Sequence, residues 1–374
     1  MASAKMRVVV LGGLGNFGAR ICRSLSLDVG VEVIAAGRSV ATSDKHIFEQ
    51  GQTVSTARLD IDSPDLEQQL IRLSPDIVIH CAGPFQSQDY RVAEASCAAG
   101  AHYVDISDGR AFVSSFAHSL NDKAQAAGVC AISGASSVPG LSSAVVDSLA
   151  KRFSRIDAIS IAIAPGQQAP RGTATLAAVF SYAGRPFQRL HNGHWSTSHG
   201  WQDMRAIRFS RLGVRWAAAC DVPDLELFPA RYPSVKTVEF RAALELRTQH
   251  LALWLAAAMR RVGIPLPIER YASQLNSIAN NFLDRYGSDC GGMMVKISGT
   301  RLDGTPGNCT WHLTAPDRHG PEIPCMAALL VTRKLVKSEL NLTGAFACTG
   351  LLELDEFEPE FRRWGITTEI EESS

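Results

Sequence analysis

Hydrophobic positions in the first 150 residues alternate between two kinds of run. Short unbroken apolar stretches are followed by longer segments with helical spacing. Val8-Val9-Val10-Leu11 is the first buried strand by pattern. Phe17, Ile21 and Leu25 then recur at helical intervals within Asn16 to Leu27. Val31 to Ala36 predicts a second strand and Thr53 to Leu59 a third, followed by a helix over Asp65 to Leu73. Pro75 to His80, Ala101 to Asp105 and Val129 to Ile132 predict three more strands. Helices over Gln88 to Gly100 and Phe112 to Gly128 separate them, and Pro139 opens another that runs to Phe153. Regular alternation of strand and helix predicts an α/β fold with a Rossmann-type, doubly wound parallel sheet.

After residue 153 the pattern changes. Ile156 to Ala164 alternates in polarity and predicts a strand. Thr173 to Ala183 predicts a helix that starts on a threonine cap. Aromatic residues interleave with polar ones from 184 to 248, with extended segments at Val214 to Ala219 and Val235 to Phe240. Thr248 to Val262 and Ile268 to Tyr286 predict two helices, for a hairpin packed on a sheet or a dimer contact. Met293 to Gly299 and Cys309 to Thr314 predict two strands joined by a turn-rich link, and Ile323 to Val336 a helix. The acidic end from Glu369 is expected to fray. The expected division is a nucleotide-binding domain over 1–152 and an α+β substrate or dimerisation domain, with a mainly antiparallel sheet, over 153–320. The segment 321–374 is free to return to the first domain.

The first strand–turn–helix carries the candidate chemistry. Gly12-Gly13-Leu14-Gly15-Asn16-Phe17-Gly18 lies where a dinucleotide fingerprint belongs. Gly13 is assigned to the tight turn, Gly15 to the approach of a pyrophosphate and Gly18 to close helix packing. Gly12, Gly15 and Gly18 also satisfy the spacing of short-chain dehydrogenases. The second strand ends in Gly37-Arg38-Ser39, with no carboxylate to bind ribose hydroxyls, so NADP is favoured over NAD. Asp60 and Ile61 are placed at the adenine, with capping of the next helix as an equally plain role of Asp60. Ala82-Gly83-Pro84-Phe85 offers small residues at a strand's carboxyl end, where the chain passes close to a cofactor. His80 and Cys81 read as core residues.

In order, these motifs resemble the saccharopine dehydrogenase family, of the reductase type with an N-terminal NADP-binding domain. The resemblance rests on the glycine turn, Gly37-Arg38-Ser39 and Cys81 to Phe85. It continues through Val92 to Ala95, Gly100 to Asp105 and Gly134 to Gly140, and covers about the first 150 residues. It implies a Rossmann domain, a second α/β domain over the cleft, and hydride transfer between NADP(H) and a carbon bearing nitrogen, or a related carbonyl. The family's substrate residues do not transfer to the second half, which departs from the pattern.

Asp105 and Ser107 are the catalytic candidates, with Asp108 and the loop from Ser136 to Gly140 beside them, because strand ends face the nicotinamide. Helix capping is the competing role of Asp105. Arg171 is either a carboxylate clamp for substrate or a surface charge. Tyr232 and Lys236 match a Tyr-x-x-x-Lys pair in letters only. His191, His194 and His199 fit no standard zinc spacing, so no metal is assigned.

Charge narrows the classes. Lys+Arg and Asp+Glu balance at 37 each, and no basic stripe accompanies the aromatics, so nucleic acid is not an expected partner. The nine scattered cysteines, without a C-x-x-C pair, predict free thiols in a reducing cytoplasm. Neither a signal peptide nor a membrane span is expected; the most apolar later run, Leu251 to Met259, is too short. The sequence thus predicts an NAD(P)-dependent oxidoreductase with a small-molecule substrate, and a homodimer is compatible with it. A second class, a non-catalytic NADP(H)-binding redox or metabolite sensor, stays open because no proton-transfer residue is unmistakable.

Overall fold

The computed structural model describes residues 5–39 and 54–373. They form two compact units. The first comprises the described residues up to Leu141 together with Glu322–Leu352. The second comprises Ser142–Pro321 and the described residues from Glu353.

In the first unit, β1 (Met6–Leu11), β2 (Val31–Gly37), β3 (Val54–Arg58), β4 (Ile77–His80), β5 (His102–Asp105) and β6 (Cys130–Ser133) alternate with helices. These are α1 (Gly18–Leu25), α2 (Leu66–Leu73), α3 (Arg91–Ala98) and α4 (Arg110–Ala127). Thr53, expected to open the third strand, lies outside the described residues. The strands pair in parallel, in the spatial order β6-β5-β4-β1-β2-β3. Val8, Val9 and Val10 of β1 have no exposed surface, as befits a parallel strand covered on both faces. The chain proceeds outward from β1 through β2 and β3, then restarts at β4 on the other side. The switch point therefore lies between β1 and β4, where ligands of such sheets bind.

The returning segment divides between the units. The helix Ile323–Val336 packs on α1 and on the Ser137–Leu141 turn, and the strand Gly344–Ala347 adds to β6 as a seventh parallel strand. Arg20 of α1 pairs with Glu322 at 2.9 Å, and Arg333 pairs with Asp28 at 2.8 Å. The chain leaves this unit after Leu141, eleven residues before the expected boundary at 152, because the next helix packs on the second sheet.

The second unit begins with α5 (Ser142–Ala150) and β7 (Phe153–Ala164), followed by α6 (Thr173–Tyr182). The hairpin β8 (Pro186–His191) and β9 (His194–His199) precedes β10 (Arg205–Phe209), β11 (Gly213–Ala219), α7 (Asp224–Arg231) and β12 (Thr237–Ala243). Then come α8 (Arg247–Arg261), α9 (Ala272–Ile278), β13 (Gly291–Arg301) and β14 (Pro306–Ala315). The sheet order is β10-β11-β12-β7-β13-β14, with Thr367–Ser373 on the β14 edge. Only the β12–β7 pair is parallel, so the sheet is mixed and mainly antiparallel.

Two expectations are corrected here. The acidic end is an edge strand: Glu369 pairs with Arg211, and Glu372 with Arg152 and Arg301. The single helix expected over Ile268 to Tyr286 is α9 flanked by tighter and wider turns.

Gly140 shows how tightly the returning helix fits. A Cβ placed there would stand 2.7 Å from the Ala327 Cβ. Gly140→Val is expected to lower unfolding free energy by about 1–3 kcal/mol through overpacking. Urea denaturation measures it, and Ala327→Gly in the same chain should restore part of the loss if this contact is the cause.

Candidate nucleotide-binding site

The carboxyl ends of β1 and β4 carry two turns that touch. Gly12 adopts φ +74°, the left-handed region, so the sharp turn falls on Gly12 and not on Gly13. A Cβ on Gly12 would lie 2.9 Å from the Ala82 amide nitrogen of the β4 turn. One on Gly13 would lie 2.8 Å from the Ala35 Cα of β2. One on Gly18 would lie 2.2 Å from the Gly12 carbonyl oxygen. Gly15 differs, since a Cβ there would meet only the Gly12 carbonyl, at 3.2 Å. Three glycines therefore serve backbone packing, and the fourth, Gly15, is exposed with that one close neighbour.

Among the described residues, the amides of Leu14, Phe17 and Gly18 have no backbone partner. They sit at the start of α1, where free N–H groups and the helix dipole favour an anion. The Asn16 carbonyl and side-chain oxygen both accept from Arg20, which Glu322 holds in turn. The Phe17 carbonyl accepts from the Cys325 thiol. This fixed, open amide cradle fits a pyrophosphate.

Around it, the other candidates fall as follows. Arg38 and Ser39 are exposed directly after β2. The Asp60 carboxylate accepts the Asp62 amide at 3.2 Å, a turn-holding role, and Ile61 is half-buried beside it. Ala82 and Gly83 are partly exposed and Pro84 is exposed. Phe85 turns inward, against His80 at 4.9 Å and Phe112 at 5.5 Å between ring centres, so its ring belongs to the core. Gln88 fastens this turn, donating to the carbonyls of Ala82 (2.7 Å) and Pro84 (3.0 Å) and bonding His80 through its oxygen (2.9 Å). Burial pushes the His80 pKa down to about 4, which keeps the imidazole neutral. Nothing in the sequence distinguishes Gln88 from any glutamine at a helix start.

Asp105 ends β5 with no exposed surface. Its Oδ1 accepts the amides of Gly134 (2.8 Å) and Ser107 (2.9 Å) and the Ser133 hydroxyl (3.1 Å). Its backbone carbonyl accepts the Ala135 amide. Ser107 is also buried, and its hydroxyl accepts the Gly109 amide ahead of α4. The geometry thus makes both residues anchors of the loops after β5 and β6. Burial pushes the Asp105 carboxyl up to about 6, against the pull of those hydrogen bonds. Asp108 is the half-buried acid at this strand end; burial raises it also, and Gln86 donates to it at 3.0 Å.

Residues singled out in the second half lie in the second unit. Arg171 is paired with Asp284 and donates to Asn280 at 3.0 Å, so its charge is already met. Tyr232 follows α7, with its hydroxyl on Asp147, and Lys236 stands in the extended link to β12. His191 and His194 close the β8–β9 hairpin, while His199 lies at its other end. No group of three metal-ligating side chains occurs among the described residues, and none of their helices is long and apolar enough to cross a membrane.

Strand order, switch point and amide cradle define a dinucleotide-binding domain. Residues 8–132 match the family model of the saccharopine dehydrogenase NADP binding domain. Comparison with curated sequences finds no match. Among solved structures, the chain is similar to the saccharopine dehydrogenase (L-Glu forming) of Saccharomyces cerevisiae, with TM-score 0.69 and 12% identity over 99% of this chain and 100% of that one. It is similar to the homospermidine synthase of Legionella pneumophila solved with NAD, with TM-score 0.61 and 12% identity over 99% and 92%. An engineered D-amino acid dehydrogenase bound to NADP+ gives TM-score 0.51 and 15% identity over 95% and 99%. At these identities the likeness establishes the fold.

Two outcomes follow. Gly15→Ala is expected to cost less than about 1 kcal/mol in urea denaturation, yet to weaken nucleotide binding about tenfold or more in calorimetry, because the bare backbone at this glycine is what lets a pyrophosphate approach. For Asp105, the folded pKa lies above the ordinary aspartate value, so the native state binds more protons between about pH 4 and 6. Wild-type stability relative to Asp105→Asn should therefore fall as pH rises through that window, by on the order of 2 kcal/mol. Parallel denaturation curves at each pH would refute this.

Proposed function

We propose that the protein is an NADP-dependent oxidoreductase that acts at a carbon bonded to nitrogen in an amino-acid-like substrate, or at a related carbonyl. The observation that carries the reading is the open amide cradle of Leu14, Phe17 and Gly18 at the β1–β4 switch point, within a matched saccharopine dehydrogenase NADP binding domain. The similar structures, among them a saccharopine dehydrogenase and a D-amino acid dehydrogenase, support an amine or imine carbon as the reacting centre.

The glycine turn holds the diphosphate, and Arg38 with Ser39 holds the 2′-phosphate at the end of β2. Ala82, Gly83 and Pro84 form the neighbouring wall, which Gln88 keeps in place. When bound, the nicotinamide supplies a two-electron hydride donor or acceptor. Asp105 acts by position, pinning Gly134 and Ser107. Asp108 is the proposed proton carrier: it is half-buried, and its raised pKa lets it hold a proton nearer neutral pH than an ordinary carboxyl. The soluble cytoplasm is the proposed compartment and a homodimer the proposed assembly.

A sensor that binds NADP(H) without turnover is the second reading. It is favoured by the burial of Asp105 and the pairing of Arg171 with Asp284, which remove two groups from free chemistry.

Nucleotide choice and turnover are tested separately. Arg38→Asp should weaken NADPH more than NADH in binding titrations; equal losses would remove the case for NADP. NADPH oxidation is then followed against 2-oxo acids paired with amines and amino acids. Asp108→Asn should lower kcat at least about tenfold with nucleotide affinity kept. Tight NADPH binding without oxidation across the panel would establish the sensor.

A further inference from the structure

The second unit contains a cavity of about 740 Å³ where the start of β8 meets the end of α8 and the link after it. Its lining includes Arg185, His199, Arg260, Arg261, Arg270 and a single carboxylate, Glu269. That carboxylate pairs with Arg260 at 3.5 Å, and Arg260 also donates to the Phe180 carbonyl at 2.6 Å. Among the described residues, Arg185, Arg261 and Arg270 have no ion pair. All three are exposed. Burial and the Arg261 guanidinium together hold His199 below its ordinary pKa, so a positive field reaches the imidazole.

The backbone keeps these cations together. A Cβ on Gly184 would lie 2.3 Å from the Ala257 carbonyl, so the entry to β8 is pressed against α8. Two arginines at a helix C-terminus are ordinary partners of the helix dipole. Arg185 and Arg270 come from other segments and have no such partner, so the dipole does not account for them. One wall of the cavity is apolar, formed by Ile264, Pro265 and Leu266.

We propose that this cavity binds a phosphate group, with Arg185, Arg261 and Arg270 donating to its oxygens and an apolar portion of the same ligand lying along Ile264, Pro265 and Leu266. Three uncompensated guanidinium groups exceed what one carboxylate needs. They match the charge and the several acceptor oxygens of a phosphate or diphosphate. The ligand is either a soluble phosphate ester or the headgroup of an anionic lipid, and both present the same chemistry here.

The full chain is titrated with pyrophosphate in the presence of saturating NADP, and separately with phosphatidylglycerol and phosphatidylcholine vesicles. The comparison protein carries Arg185→Gln, Arg261→Gln and Arg270→Gln, exposed changes that leave Arg260 and Glu269 in place. Loss of pyrophosphate affinity in this variant by about tenfold or more supports a soluble phosphate ligand. Binding only to phosphatidylglycerol vesicles, lost in the variant, supports a lipid headgroup. No binding to either probe overturns the proposal. So does binding that the variant retains, or equal binding to phosphatidylcholine vesicles. Unchanged NADP affinity in the variant separates the result from the glycine-turn site.

Discussion

Close approach of backbone to backbone at the carboxyl edge of the first sheet is the constraint on which the molecule depends. Gly12 turns with a positive φ against the β4 turn, Gly13 sits on β2, and Gly18 lets α1 start against the Gly12 carbonyl. None of these contacts survives a Cβ. Their result is that α1 begins directly over the strand ends, and its first amides emerge at the switch point between β1 and β4. A phosphate site built this way needs no cationic side chain in its floor. The cost lies in backbone entropy, which glycine loses more than any other residue.

The same edge is held from the other side by buried polar groups. One carboxylate oxygen of Asp105 collects two amides and a hydroxyl, so the loops after β5 and β6 share a single anchor. Gln88 does similar work for the turn after β4. Such networks are specific because every alternative leaves a buried polar group without a partner. Burial raises the Asp105 pKa, and these three donors pull it back down. A carboxylate committed to three donors is a poor proton shuttle, which shifts attention to the half-buried Asp108.

The first unit was largely legible because its determinants are local. Apolar runs gave β1, β4, β5 and β6, and the glycines gave the turn. The helix over Ile323–Val336 was readable to the residue, since Pro321 and Pro324 mark its start. Glycine spacing did not reveal which glycine bends, because Gly12 and Gly13 are equivalent until the register of β2 and the position of Ala82 are known. Helix α7 was missed: it is only eight residues long and contains Pro229, which a local reading takes as a breaker. The strand at Thr367–Ser373 was missed for another reason. Its acids looked like a solvated tail, and only the distant Arg152, Arg211 and Arg301 make them a partner surface.

This asymmetry has a physical source. Nucleotide sites made from backbone geometry leave their record in the sequence, because only one residue type satisfies the geometry. Sites made from ion pairs leave none, since an arginine reads the same whether paired or free. Arg171 illustrates the point: its neighbours suggested a clamp, yet Asp284, more than a hundred residues away, already neutralises it. Arg185 and Arg270 illustrate the converse. They have no conspicuous motif around them, and only the fold gathers their charges around one cavity. In this chain, then, the arginine pairings of the second unit are written in its contacts, while the glycine turn of the first is written in its residues.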